Sequence, residues 1–203
     1  WSSDVCSSDL PRTLAVDIGS PAINPTSVNG AHQVRVTLPD GYLANPGLRY
    51  PVLYLLHGGA GGSSRQWTSE GGAAEAITAG RPVITVMPDG GKVGWYTNWV
   101  NPAGSGPQRW EELHLGQLIG WVDLNLRTIA GKQGRAVAGL SMGGFGAISY
   151  AARRPDLFAH AASFSGALDL EDAGIRAVIT EQAVQNATAF RSEERRVGKE
   201  CRS

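Results

Sequence analysis

The stretch Arg135-Ala136-Val137-Ala138-Gly139-Leu140-Ser141-Met142-Gly143-Gly144 decides how this chain is read. It opens as a short apolar run suited to a strand buried on both faces. It then breaks into Gly-x-Ser-x-Gly and continues as a small-residue segment, Met142 to Arg154, closed by the stop signal Arg153-Arg154-Pro155. A serine hydroxyl is a poor nucleophile until it is exposed, positioned and relieved of its proton. A sharp strand-to-helix turn with little bulk on either side solves the exposure problem, and the helix that starts there aims its first amides at developing negative charge. Among 27 glycines the pattern alone says little. The strand before it and the helix after it make Ser141 the candidate nucleophile.

The neighbouring segments repeat the strand-then-turn grammar. Pro51 to Leu56 is a continuous apolar run that ends in His57-Gly58-Gly59-Ala60-Gly61-Gly62. Pro82 to Met87 ends in Pro88-Asp89-Gly90-Gly91, and Ala161 to Ser165 reads as a fourth such strand. Arg12 to Ile18 and His32 to Leu38 alternate around β-branched residues, across a Pro/Asn/Ser/Gly stretch from Ser20 to Gly30. Between Pro107 and Ile129, Leu115, Leu118, Ile119, Val122 and Leu126 form one apolar stripe, with Pro107 and the pair Glu111 and Glu112 suiting a helix start. Strands alternating with helices predict an α/β domain, a mostly parallel sheet with helices on both faces. No repeat or linker divides it.

Attack on an ester carbonyl creates an oxyanion that two backbone amides must meet. One comes from the residue after the nucleophile, here Met142. The other comes from a Gly-rich loop after an earlier strand, and His57 to Gly62 is such a loop. Gly59 is the favoured donor and Ala60 the fallback. A phosphate-binding loop is the competing reading, but no lysine and no Gly-Lys-Ser/Thr follows.

Several stretches occur together in order: Tyr54-Leu55-Leu56-His57-Gly58-Gly59, Met87-Pro88-Asp89-Gly90-Gly91, Trp95-Tyr96-Thr97-Asn98-Trp99, Arg109-Trp110-Glu111, Gly139 to Gly144 and Ser165-Gly166-Ala167-Leu168-Asp169. Their combination resembles the esterase family of α/β-hydrolases that includes the mycolyltransferases (antigen 85) and esterase D. The likeness covers nearly all of Arg12 to Leu170. It implies an α/β-hydrolase fold, Ser141 as nucleophile, and the Gly59 and Met142 amides as oxyanion hole. It also implies acyl-enzyme chemistry with no metal or organic cofactor, and a secreted or cell-envelope location. The chain departs from the mycolyltransferases at His57-Gly58-Gly59, where they carry Asp-Gly-Leu, and at Gly143-Gly144, where they carry alanines. It also lacks their cysteine pair between Asn98 and Arg109. These departures favour a carboxylic ester hydrolase over a transferase that passes an acyl group to a sugar hydroxyl. The remaining rival is a non-catalytic carbohydrate- or surface-binding member, for which Trp67, Trp95, Trp99 and Trp110 are the support; core or rim packing explains them equally well.

The triad acid and histidine have no counterpart here. In the family they lie far beyond the serine, so the domain reads as C-terminally truncated after about its sixth strand, and poorly active as given. His32, His57, His114 and His160 are expected to be structural or solvated, Asp169 is a remote candidate acid, and Glu111 is expected to cap its helix.

Both ends read as translated short-read sequencing adapters: Trp1 to Leu10 and Arg191 to Ser203. The expected esterase domain is then residues 11–190. Both cysteines, Cys6 and Cys201, fall in those ends, so no disulfide, Cys-ligated metal or Cys nucleophile is expected. The chain carries 18 basic and 18 acidic residues, and the ends hold five of each, leaving no electrostatic footprint for nucleic acid. No apolar run approaches the roughly 20 residues of a membrane span. The expected partner is a small-molecule or glycolipid ester.

Overall fold

A computed structural model describes residues 12–23, 33–59, 62–68, 72–100, 102 and 106–185. The adapter-like ends, His32 and the fallback donor Ala60 lie outside these residues, as do Cys6 and Cys201.

Among the described residues, six strands form one sheet in the order β1-β2-β4-β3-β5-β6. They are β1 Thr13–Asp17, β2 Gln33–Thr37, β3 Val52–Leu56, β4 Ile84–Pro88, β5 Arg135–Leu140 and β6 His160–Phe164. β4, β3, β5 and β6 run parallel, and β1 and β2 add antiparallel at one edge. The expected α/β-hydrolase arrangement is therefore present, with a parallel centre. Its strands read as unbroken apolar runs because both faces are covered. On one face Tyr54, Leu56, Val86 and Val137 pack with Leu118, Val122, Phe145, Ala147 and Tyr150. On the other, Leu55, Met87 and Ala138 pack with Ala74, and Trp67 and Ile77 lean on that cluster. Helices α2 (Ile119–Asn125) and α3 (Met142–Arg153) thus serve the first face and α1 (Ala73–Thr78) the second. A fourth helix, α4 (Ala173–Gln185), follows β6.

Two local expectations change. The helix expected from Pro107 begins at Trp110, because Gln108 and Arg109 are drawn into bridges with Ile23 and Asn98. Its first part, Glu112–Leu118, is wound as a π-helix before α2 begins. Glu111 does not cap it. The Glu111 carboxylate pairs with Arg153 at 2.6 Å, while Asn98 Oδ1 accepts the Glu112 N–H at 3.1 Å. The Arg135 guanidinium, at the start of β5, pairs with the Asp123 carboxylate of α2, whose other oxygen accepts the Thr128 hydroxyl at 2.7 Å. This ties the strand that leads into Ser141 to the helix beneath it.

Candidate active site

Ser141 follows β5 and precedes α3, with φ 53° and ψ −116°. A non-glycine residue in that region costs about 1–3 kcal/mol and persists only where the surroundings impose it. Here they do. The Ser141 N–H donates to Phe164 O of β6 at 2.8 Å, and its carbonyl accepts the Phe145 N–H at 3.0 Å. The flanking glycines are required by close approach: a Cβ on Gly139 would strike the Gly143 carbonyl, and one on Gly143 would strike the Leu56 carbonyl. The turn is therefore packed hard against β3 while Ser141 itself is exposed. Among the described residues its hydroxyl has no hydrogen-bond partner.

The loop after β3 lies alongside. A Cβ built on Gly58 would stand 3.7 Å from Ser141 Cβ, and one on Gly59 would stand 3.7 Å from Met142 Sδ. Among the described residues neither the Gly59 nor the Met142 N–H has a hydrogen-bond partner. Two amides without a partner among the described residues therefore flank Ser141 on adjacent segments. Met142 Sδ accepts the Trp95 N–H at 3.4 Å, and Trp95 rests edge-on against Phe145, with ring centroids 5.7 Å apart.

Beneath the loop sits a buried polar group that the sequence did not reveal. His57 and Asp89 approach to 3.7 Å, which resembles part of a triad. The hydrogen bonds exclude that role. His57 Nε2 accepts the Gly90 N–H at 2.8 Å, so it is unprotonated, and Nδ1–H donates to Gly58 O at 2.6 Å. The ring is neutral, wholly buried and fully occupied. The Asp89 carboxylate instead accepts the Gly91 N–H at 2.8 Å. Tyr96, at φ 55°, donates its hydroxyl to His57 O at 2.9 Å. Burial raises the Tyr96 phenol pKa far above its ordinary value, with the Asp89 charge adding to the effect, so it stays a donor.

Of the other described histidines, His114 is a structural group and His160 a solvated one. His114 is buried between Tyr150, whose hydroxyl donates to Nδ1 at 2.8 Å, and Asp89 O, which accepts from Nε2 at 2.9 Å. His160 is exposed and pairs with Ala136, at the opposite end of the strands from Ser141. At about 3.3 Å per residue that is roughly 15 Å away, too far for a base. Asp169 is exposed, and its Oδ1 accepts the Glu171 N–H at 3.0 Å. Of the tryptophans, Trp110 is core, packed with Ala22, Ile23 and Leu113, and Trp67 leans on the Leu55 cluster. Trp99 donates its ring N–H to Gly94 O at 3.1 Å. Among the described residues no group of His, Cys, Asp or Glu is arranged to hold a metal.

The family described as "Putative esterase" matches residues 26–200. The chain belongs to this esterase family. It is 50% identical over 138 residues to Esterase Rv1288 of Mycobacterium tuberculosis, spanning 68% of this chain and 29% of that protein. It is 33% identical over 154 residues to the diacylglycerol acyltransferase/mycolyltransferase Ag85B of Mycobacterium leprae, spanning 73% of this chain and 46% of that protein. The solved structure of a ferulic acid esterase superposes with a TM-score of 0.63 at 25% identity, covering 86% of this chain and 67% of the other. The chain thus spans less than half the length of these two curated esterase-family relatives. No helix among the described residues is long and apolar enough to cross a membrane.

Proposed function

We propose that this esterase-family chain carries the nucleophile and oxyanion hole of a serine carboxylic-ester hydrolase. The supporting observation is the strained, exposed Ser141 beside two amides that have no partner among the described residues. Ser141 Oγ attacks the ester carbonyl carbon, and its proton passes to a base. The carbonyl oxygen becomes an oxyanion held by the Gly59 and Met142 N–H groups. Collapse expels the alcohol and leaves an acyl-Ser141 ester, which water then cleaves to the acid. The substrate is a small-molecule or glycolipid ester, and the setting is the cell envelope or exterior, on the strength of the family likeness.

Among the described residues nothing accepts the Ser141 proton, so the 203-residue chain should turn over slowly. Losing the base costs on the order of a millionfold, while an oxyanion hole and binding retain roughly 10³- to 10⁴-fold over water. Hydrolysis of p-nitrophenyl acetate beside the Ser141→Ala variant tests this. Slow p-nitrophenol release with acetyl-Ser141 seen by peptide mass mapping is the expected result. Turnover at ordinary esterase rates, or release unchanged in Ser141→Ala, contradicts it. Similarity to a mycolyltransferase favours a second reading, acyl transfer to a sugar hydroxyl; an added alcohol acceptor would then take up the acyl group in place of water.

A further inference from the structure

A loop that reads His57-Gly58-Gly59-Ala60-Gly61-Gly62 has little intrinsic stiffness, since glycine has the widest backbone freedom. An oxyanion hole works only when its donors are already in place before charge develops. Side chains must therefore set its conformation.

The hydrogen bonds show how. The peptide joining His57 to Gly58 is held at both ends: its carbonyl accepts the Tyr96 hydroxyl at 2.9 Å, and its N–H donates to Gln66 Oε1 at 2.7 Å. The next peptide, joining Gly58 to Gly59, is held at its carbonyl by His57 Nδ1–H at 2.6 Å. A trans peptide points its C=O and N–H to opposite sides, so the Gly59 N–H is turned away from the His57 ring. Among the described residues, that N–H is the one group of the two peptides left without a partner. Gln66 Oε1 also stands close to the nucleophile, since it and Ser141 Cβ both lie within 4 Å of the same point beside Gly58.

We propose that Gln66 is a positioning residue that sets the oxyanion hole by fixing the Gly58 amide; this rests on the proposed role of Gly59. His57 and Tyr96 are wholly buried and hold the core together. Gln66 is half-buried on the loop 62–68, and its side-chain carbonyl serves the Gly58 amide. Its orientation is unambiguous, because only the oxygen end of the side-chain amide accepts an N–H. Without that acceptor the Gly58 amide turns toward water, and the adjoining glycines follow at little steric cost.

The test uses the 203-residue chain, a fluorophosphonate probe at alkaline pH, and two variants. Gln66→Met keeps the side-chain length and removes the acceptor; Gln66→Glu keeps an acceptor. The maximal rate of Ser141 phosphonylation should fall about tenfold or more in Gln66→Met, as loss of a well-placed donor predicts, with the half-saturating probe concentration and melting temperature little changed. Hydrogen exchange of the Gly58 amide should quicken in Gln66→Met and stay protected in Gln66→Glu. Labelling of Gln66→Met at the unaltered rate overturns the proposal, as does a rate loss that merely tracks melting temperature. If Ser141 of the unaltered chain fails to label, the proposed function fails instead. Gly58 exchange then decides Gln66 alone: protection unchanged in Gln66→Met overturns the clamp, and protection lost there but kept in Gln66→Glu supports it.

Discussion

Lowering the pH from 7 toward 4 should weaken the fold through His114, whose imidazole is locked in its neutral form. Nε2–H donates to Asp89 O and Nδ1 accepts from the Tyr150 hydroxyl, so both nitrogens are satisfied without an added proton. The ring also lies against Tyr96, Trp110 and Tyr150. Burial dominates in lowering its pKa from 6.5 to about 4. The unfolded chain therefore binds more protons than the folded one between those values. Stability is full above about 6.5, falls as the pH drops through that window, and levels off below about 4. At about 1.4 kcal/mol per unit, the whole window amounts to about 3 kcal/mol, and the part between pH 7 and 5 to about 2 kcal/mol. Urea unfolding of the unaltered chain and of His114→Phe, at half-unit steps from pH 7 to 5, measures it. The variant starts less stable, since Tyr150 and Asp89 O lose a buried partner, but its pH slope should be shallower by about 2 kcal/mol over the range. Parallel pH profiles for the two proteins would refute the reasoning.

Three further outcomes are expected. Gly143→Ala should destabilise the chain by about 1–3 kcal/mol or prevent folding, because the new Cβ meets the Leu56 carbonyl backbone; an unchanged melting temperature would contradict the packed elbow. Asp123→Ala leaves the Arg135 guanidinium unpaired at a nearly buried site and should cost about 3 kcal/mol by chemical denaturation. We propose that the ends are adapter-derived, and on that reading a chain trimmed to residues 11–190 should keep about the melting temperature of the full chain; a large loss would assign those ends a part in the fold.

What could be read from the sequence was what is local in it. Gly139, Ser141 and Gly143 lie within one turn, and the apolar runs of β3, β4 and β5 precede Gly-rich breaks, so the elbow and the sheet follow from spacing. Gln66 reaches Gly58 across eight residues and Tyr96 reaches His57 across 39, and nothing in either segment advertises those pairings. The clue to Tyr96 was the steric cost of its own conformation, visible only in coordinates: consecutive residues Trp95 and Tyr96 both have positive φ. The π-helical stretch went unread for a related reason. A stripe at three- and four-residue steps fixes which face is buried but tolerates one widened turn, and the bridges that delay the helix start depend on Ile23 and Asn98, distant in sequence.

The central claim is that Ser141 is the reactive serine, and prolonged exposure of the purified chain to a fluorophosphonate at alkaline pH, followed by peptide mass mapping, tests it most directly. The account predicts an adduct on Ser141 well in excess of that on any other serine, and its loss in Ser141→Ala. Adducts spread evenly over the serines, or an equal yield in Ser141→Ala, would contradict it.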